Sequence, residues 1–246
     1  MVINDGIKQT DEQLLSFLMI GQSNMAGRGD FGEVEPIDNP RCFMLRMGRW
    51  QRMSEPINPD RSVLTGEFHS GVGLAASFAD EVQKYLGARI GLIPCADGGT
   101  SMDKWKVGSP LYDHAVFMAR LAMRSSTLAG IIWHQGESDC HKIEDALAHR
   151  EKFLTMMTTL RRELGAESLP LIIGELPENI TERWGVADRP IIVNRAYREL
   201  AAELPMCAIA SSEGLELRRD GIHFSSASAR IFGKRYFEAY KSLIDK

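Results

Sequence analysis

Short apolar runs alternate along the chain with longer amphipathic stretches. The apolar runs show no polar alternation, which is typical of strands covered on both faces, and they predict six strands, at residues 14–20, 42–47, 90–95, 130–134, 171–175 and 207–211. The amphipathic stretches predict five helices, at residues 72–86, 110–125, 143–164, 192–203 and 226–242. This alternation is the pattern of βα units, so we expect one three-layer α/β/α domain with a central parallel sheet over residues 1–246.

Composition narrows the class of protein. The 246 residues are 44% hydrophobic and 25% charged, with a net charge of -4. A chain of this length can bury a sizeable core. The weakly negative net charge differs from the positive charge of proteins that bind nucleic acid or anionic membranes. We therefore expect neither partner and favour a neutral or weakly polar small molecule as the substrate. The longest apolar run, residues 14–20, is interrupted by Ser16 and is far too short to cross a bilayer.

The cysteines and the first residues bear on the compartment. The four cysteines are scattered, without a C-x-x-C pair, and most lie in or beside apolar runs: Cys42, Cys95, Cys140 and Cys207. We therefore expect buried free thiols. Residues 1–5 lack the basic region and apolar core of a signal peptide. A cytoplasmic enzyme is the expectation, and the sequence does not indicate its oligomeric state.

Four small polar clusters follow the predicted strands. Residues 21–24 come after the first strand, residues 96–101 after the third and residues 134–139 at the end of the fourth, while residues 220–223 lie beyond the sixth. In open α/β sheets, ligands bind outside the carboxyl ends of the strands. We therefore predict that these clusters form an active site.

A nucleophilic serine is the first candidate in these clusters. A serine hydroxyl is a weak nucleophile until a base takes its proton and a third group orients that base. Ser23 stands at a predicted strand-to-helix junction, His223 is the best base on offer, and Asp220 precedes His223 by three residues. Alternatively, Asp220 and Gly221 form only a turn and His223 lies on the surface.

Acyl transfer also needs hydrogen-bond donors for the tetrahedral oxyanion. The backbone N–H of Ser23 is one candidate, and Gly98 or Gly99 is the second because a residue without Cβ lets the backbone approach a substrate. Gln135 is the third candidate, through its side-chain amide. The alternatives are a plain turn at the glycines and a core amide at Gln135.

The segment 134–141 contains two His, one Glu and one Asp, which suggests a divalent metal site. The H-E-x-x-H spacing is absent, however, and Gly136 favours a loop over a helix with one ligand face. We therefore predict no metal and no other cofactor. Glu137 and Asp139 are expected to hold loops by accepting hydrogen bonds, and Glu137 could also serve as a spare carboxylate for His223.

Two other features have competing interpretations. Trp105 follows the glycine loop and is either a core side chain or a wall of the acyl or sugar pocket; we take substrate binding as the prediction. The basic run at residues 46–52 is more typical of a solvated turn than of a binding patch.

Taken together, four motifs occur in a characteristic order: GQSNM at 21–25, GGTS at 98–101 with Trp105, WHQGESD at 133–139 and DGIHF at 220–224. Over about residues 14–240 the chain resembles the SGNH-hydrolase superfamily, in particular its sialate O-acetylesterase-like branch with the carbohydrate esterase family 6 acetyl xylan esterases. The resemblance implies a flavodoxin-like sandwich with a parallel sheet of about five strands.

The resemblance also assigns roles. It implies that Ser23 is the nucleophile that forms an acetyl-enzyme, that His223 is the general base and acid, and that Asp220 orients it. The oxyanion hole would comprise the N–H groups of Ser23 and a second-block glycine, with Gly98 favoured over Gly99, and the Gln135 amide where the wider superfamily has Asn. The supporting residues are Gln22, Asn24 and Glu137.

The leading hypothesis is therefore hydrolysis of an O-acetyl ester on a carbohydrate, such as acetylated xylan, sialic acid or a related sugar, through acetyl-Ser23. A second hypothesis is a non-catalytic carbohydrate-binding protein on an esterase scaffold. The intact set of Ser23, Asp220 and His223 argues against it, because a pure binder has no need of them. A third is a metal-dependent hydrolase built on His134, Glu137 and His141.

Overall fold

A computed structural model describes residues 13–59, 69–180 and 188–245. It contains seven strands, β1 (Leu14–Gly21), β2 (Cys42–Arg46), β3 (Arg49–Arg52), β4 (Arg89–Pro94), β5 (Thr127–His134), β6 (Leu171–Gly174) and β7 (Cys207–Ala210). They form one sheet in the order β3-β2-β4-β1-β5-β6-β7. Neighbouring strands are parallel except for β2 and β3, which are antiparallel. The predicted α/β class is confirmed.

Helices connect and follow the strands. They are α1 (Ser23–Ala26), α2 (Leu74–Leu86), α3 (Met102–Trp105), α4 (Pro110–Ala122), α5 (Ile143–Glu163), α6 (Arg189–Glu203) and α7 (Ser226–Ile244). Short 3-10 turns occupy Glu137–His141 and Glu178–Ile180. The five predicted helices correspond to α2 and α4 to α7, with ends displaced by a few residues. The four-residue helices α1 and α3 are too short to show a periodicity.

The sheet is covered on both faces, as its continuous apolar strands predict. In β1, Phe17 and Met19 pack on the face with α2 and α7, whereas Leu18 and Ile20 pack on the face with α4, α5 and α6. The Phe17 ring meets Phe78 of α2 edge to face at 5.0 Å between centroids. The side chains of the central strand thus join the two layers of helices to one sheet.

The edge strand β3 corrects the prediction of a solvated turn at residues 46–52, and the sheet has seven strands where the resemblance implied about five. Trp50 is buried against the sheet, with its indole N–H donating to Ser125 Oγ, while Arg49, Gln51 and Arg52 face solvent. Charged side chains on an edge strand protect it from pairing with other chains. A four-residue strand with one apolar side chain has too little pattern to be predicted.

Some expectations fall outside what the structure describes. Residues 1–5, on which the expectation of no signal peptide rests, lie outside the described residues. Within the described ranges, none of the helices has both the length and the apolar character that a membrane span requires. All four cysteines are free and buried, as predicted.

Candidate active site

The carboxyl end of β1 places Ser23 between two neighbouring strand ends. β1 lies between β4 and β5, so the loops that follow these three strands meet at one edge of the sheet. Gly21 adopts a φ of +134°, and a Cβ there would lie 2.0 Å from the His134 carbonyl oxygen. The Gln22 N–H donates to the same oxygen at 2.9 Å. Glycine at position 21 therefore lets the chain turn tightly against the end of β5 and into α1, where Ser23 is the first residue.

Ser23, His223 and Asp220 form a continuous hydrogen-bonded line. The Nε2 atom of His223 lies 2.9 Å from Ser23 Oγ, and its Nδ1 atom lies 2.9 Å from Asp220 Oδ2. The Ser23 side chain is almost fully buried, and the other two are partly exposed. This geometry allows the imidazole to take the hydroxyl proton while the carboxylate holds the ring in the required tautomer. The structure thus brings together three predicted residues that are up to 200 positions apart.

The Asp220 carboxylate also shapes the turn that carries His223. Its Oδ1 atom accepts hydrogen bonds from the backbone N–H groups of Ile222 at 2.8 Å and His223 at 2.9 Å. Burial raises the pKa of Asp220, but the backbone and imidazole of His223 and the Ile222 N–H together lower it below its usual value. The carboxylate is therefore ionised at neutral pH, as a partner for an imidazolium must be.

Two backbone N–H groups are available beside the Ser23 hydroxyl. Neither the Ser23 nor the Gly98 N–H donates a hydrogen bond to a described residue. A Cβ at Gly98 would lie 3.4 Å from Ser23 Cβ and 2.5 Å from Arg28 Nη2, whereas a Cβ at Gly99 would meet nothing within 4 Å. A Cβ at Gly98 thus lies nearer to Ser23 than a Cβ at Gly99, and the choice of Gly98 as the oxyanion donor stays a prediction.

The Gln135 side chain contradicts its predicted place in the oxyanion hole. It is fully buried, and its amide donates to the Thr100 carbonyl at 2.9 Å and to Asp139 Oδ2 at 2.6 Å. Both amide protons are thus committed to buried acceptors, and Gln135 is the core amide of the alternative interpretation.

Unlike Gln135, Gln22 lines a cavity beside Ser23. Its Oε1 atom accepts the Ser138 N–H at 3.3 Å, which directs the other end of the amide away from Ser138. No acceptor for its Nε2 atom is found among the described residues, and the Gln22 side chain lines the cavity beside Ser23. The side-chain amide of Gln22 is therefore free to donate to a substrate oxygen.

A cavity of about 180 Å³ opens beside the hydroxyl of Ser23. Its walls include predicted residues from all four motifs, and four residues that the sequence analysis did not assign to the pocket: Arg28, Ser138, His141 and Ile222. Ser138, His141 and Ile222 lie within or beside the motifs, and this position in the sequence could have identified them as pocket residues. Arg28 lies outside them, and its approach to Gly98 depends on how the chain folds back after α1.

Trp105 belongs to the core, which corrects its assignment to substrate binding. The side chain is 1% exposed, packs edge to face on Trp133 at 5.5 Å, and donates its indole N–H to Thr100 Oγ1. It therefore supports the loop that carries Gly98 from beneath.

His134, Glu137 and Asp139 of segment 134–141 form buried hydrogen bonds with neighbouring side chains and backbone. His134 Nε2 lies 3.1 Å from Glu137 Oε1, and Asp139 accepts from the Met102 N–H, Gln135 and His149. Glu137 and Asp139 thus hold loops, as predicted, and no hydrogen bond between described residues joins Glu137 to His223. The described residues contain no group of three or more His, Cys, Asp or Glu side chains arranged to hold a metal ion.

Comparison with known proteins identifies the family of this chain. Residues 13–242 match the family described as carbohydrate esterase, sialic acid-specific acetylesterase. The chain belongs to this sialic acid-specific acetylesterase family. It is also 31% identical over 245 residues to a probable carbohydrate esterase of Arabidopsis thaliana, with 92% of this chain and 90% of the relative covered.

Solved structures share the fold of this chain. The X-ray structure of the Arabidopsis protein superposes with a TM-score of 0.80 at 28% identity, over 94% of this chain and 99% of that one. NanS superposes with a TM-score of 0.77 at 18% identity, over 95% and 98% of the two chains. A carbohydrate acetylesterase from Xanthomonas citri gives 0.64 at 19% identity, over 94% of this chain and 56% of that one. The last two likenesses concern the fold alone.

Membership of the sialic acid-specific acetylesterase family makes the chain an ester hydrolase with an SGNH-like fold, as the motifs predicted. The more specific link to carbohydrate esterase family 6 stays a prediction.

Proposed function

We propose that this protein hydrolyses O-acetyl esters of a carbohydrate through an acetyl-Ser23 intermediate. The observation that carries the proposal is the line of hydrogen bonds from Ser23 Oγ through His223 to Asp220, each 2.9 Å long, at the wall of one cavity. A serine, an imidazole and a carboxylate in this order are the groups needed for nucleophilic acyl transfer.

In the acylation step, Ser23 Oγ attacks the acetyl carbonyl carbon while His223 Nε2 takes the hydroxyl proton. The imidazolium that forms is stabilised by the ionised Asp220 carboxylate at Nδ1. His223 then gives the proton to the sugar oxygen, the carbon–oxygen bond to the sugar breaks, and the acetyl group remains on Ser23.

In the second step, a water molecule occupies the place that the sugar oxygen has left. His223 takes a proton from the water, which attacks acetyl-Ser23, and returns it to Ser23 Oγ as acetate leaves. The His223 side chain is partly exposed at the cavity wall, which gives water access to its Nε2 atom.

In the proposed mechanism, three donors stabilise the oxyanion of both steps. They are the N–H groups of Ser23 and Gly98 and the side-chain amide of Gln22, which takes the role first predicted for Gln135. Donors that are already oriented need no rearrangement as charge develops on the oxygen, and the loss of one costs about 10²–10³ in rate.

The cavity supports a short acyl group and an acidic sugar. Its volume of about 180 Å³ has room for an acetyl group and the atoms next to it. Arg28 places a guanidinium in the wall beside Gly98. A guanidinium favours a substrate with a carboxylate, so O-acetylated sialic acid fits better than neutral acetylated xylan. The family description supports the same choice.

Acetate release from a panel of substrates tests this function. The panel contains O-acetylated sialic acid, acetylated xylan, acetylated monosaccharides and cephalosporin C. We expect the highest kcat/KM on O-acetylated sialic acid, and we expect Arg28→Ala to lose more activity on that substrate than on acetylated xylan. If no acetylated sugar releases acetate, the function is wrong. If Arg28→Ala lowers both rates equally, the acidic sugar is wrong and the esterase stands.

A further inference from the structure

The side chain of Asn24 bonds to the chain on both sides of His223. Its Nδ2 atom donates to the Ile222 carbonyl at 3.1 Å, and its Oδ1 atom accepts the Phe224 N–H at 3.1 Å. Asn24 is 5% exposed and lies next to Ser23 on α1. One amide on the nucleophile's own helix therefore anchors the two peptide groups that flank His223.

Glu137 determines which way that amide faces. Its Oε1 atom accepts from Asn24 Nδ2 at 2.6 Å and lies 3.1 Å from His134 Nε2. A carboxylate only accepts hydrogen bonds, so the NH2 end of the Asn24 amide must face Glu137 and the oxygen must face Phe224. A flipped amide would place two oxygens in contact and lose both backbone bonds.

The surroundings of Glu137 keep its carboxyl group ionised, so that it accepts hydrogen bonds. It is 1% exposed, and burial raises its pKa, but the charge and hydrogen bond of His134, its own N–H and the Asn24 amide together lower the pKa below its usual value. Glu137 forms no hydrogen bond with His223 among the described residues, and its hydrogen-bonded link to the backbone of that residue runs through Asn24.

From this arrangement we propose that Asn24, oriented by Glu137, is a positioning residue that sets the distance between His223 Nε2 and Ser23 Oγ. The inference rests on the proposed function. Asp220 holds the ring through Nδ1, while Asn24 holds the backbone to which the ring is attached. A displacement of the base by about 1 Å is enough to cost roughly 10²-fold in rate.

A second buried asparagine, Asn194, serves as a matched control for a loss that is only structural. Asn194 is also buried and also bonds to backbone twice, accepting the Leu176 N–H at 2.7 Å and donating to the Leu176 carbonyl at 2.9 Å. It does not line the cavity beside Ser23. Asn194→Ala therefore removes a similar amide clamp without reaching the reacting groups.

The test compares Asn24→Ala, Glu137→Ala, Glu137→Gln and Asn194→Ala, with kcat and KM for p-nitrophenyl acetate and the melting temperature of each. We expect Asn24→Ala and Glu137→Ala to lower kcat about 10²-fold with little change in KM. Glu137→Gln keeps an oxygen acceptor for Asn24 and should recover most of the rate. Asn194→Ala should lower the melting temperature and leave kcat within about twofold.

Equal losses of kcat in Asn24→Ala and Asn194→Ala would overturn the proposal, as would a change confined to KM. The imidazole resonances of His223 in NMR spectra provide a readout that needs no activity. They should shift in Asn24→Ala and Glu137→Ala and stay in place in Asn194→Ala; unchanged resonances in the first two would contradict the positioning role. Failure of the esterase function itself would be visible in the unmodified protein, which would then release no acetate.

Discussion

The carboxylate of Asp220 binds His223 twice, at the ring through Oδ2 and at the backbone N–H through Oδ1, both at 2.9 Å. The same group therefore fixes the tautomer of the imidazole and the turn on which the imidazole is mounted. The antiparallel bridge between Leu217 and Phe224 closes this turn at its base.

Replacing Asp220 by Asn separates those two tasks. Asp220→Asn keeps an oxygen for the backbone N–H groups but can turn its NH2 towards Nδ1, which favours the wrong tautomer. We expect kcat for p-nitrophenyl acetate to fall about 10⁴-fold with the melting temperature nearly unchanged. Asp220→Ala should lose a similar amount of activity and also stability. A loss below tenfold in Asp220→Asn would show that this carboxylate does not orient the base.

The two glutamines should respond to substitution in opposite ways. Gln22→Ala removes the free amide at the cavity and should lower kcat about 10²–10³-fold with the fold intact. Gln135→Ala removes a buried donor from Asp139 and the Thr100 carbonyl, so it should cost about 1–3 kcal/mol of stability. Kinetics and thermal unfolding of both variants check this. A large kcat loss in Gln135→Ala alone would return that residue to the oxyanion hole.

The lowered pKa of Glu137 predicts a pH-dependent stability. A carboxyl whose pKa is lower in the folded than in the unfolded state stabilises the fold above its unfolded value of about 4.3, and this contribution is lost as the pH falls through the folded value. Glu137→Gln lacks the titrating group. The difference in melting temperature between the unmodified protein and Glu137→Gln should be largest near neutral pH and shrink below about pH 4. A difference that grows on acidification would contradict the lowered pKa.

The four thiols should be unreactive in the native protein. Burial raises the pKa of Cys42 and of Cys207 to about 12, and it also raises the pKa values of Cys95 and Cys140. Reaction with an aromatic disulfide reagent requires the thiolate and access. We expect no labelling at neutral pH before unfolding and four labelled thiols in denaturant. Rapid labelling of any one of them in the native protein would show that it is accessible.

Much of the fold could be predicted because its strands are continuous apolar runs with no competing pattern. The line of Ser23, His223 and Asp220 could be predicted as well, since the carboxyl ends of parallel strands meet and the polar clusters lay at those ends. The edge strand β3 could not, because Trp50 is its only buried residue and its neighbours are charged.

The roles of the amides and large side chains depend on which hydrogen-bond acceptors and packing partners compete for them. A sequence does not show this competition. Gln22 and Gln135 are the same residue type in the first and third motifs, and only the acceptors at Asp139 and Thr100 decide which amide stays free. Trp105 is placed in the core by its contact with Trp133, and Arg28 is placed in the pocket by the path of the chain after α1.

Acetate release by Ser23→Ala is the measurement that shows whether Ser23 is the nucleophile. The variant removes one oxygen from a helix start and should fold and melt like the unmodified protein. Loss of the nucleophile in a serine hydrolase costs about 10⁶ in rate, so we predict acetate release at background level from p-nitrophenyl acetate and from O-acetylated sialic acid. Retention of a tenth of the activity by a folded Ser23→Ala protein would show that Ser23 is not the nucleophile.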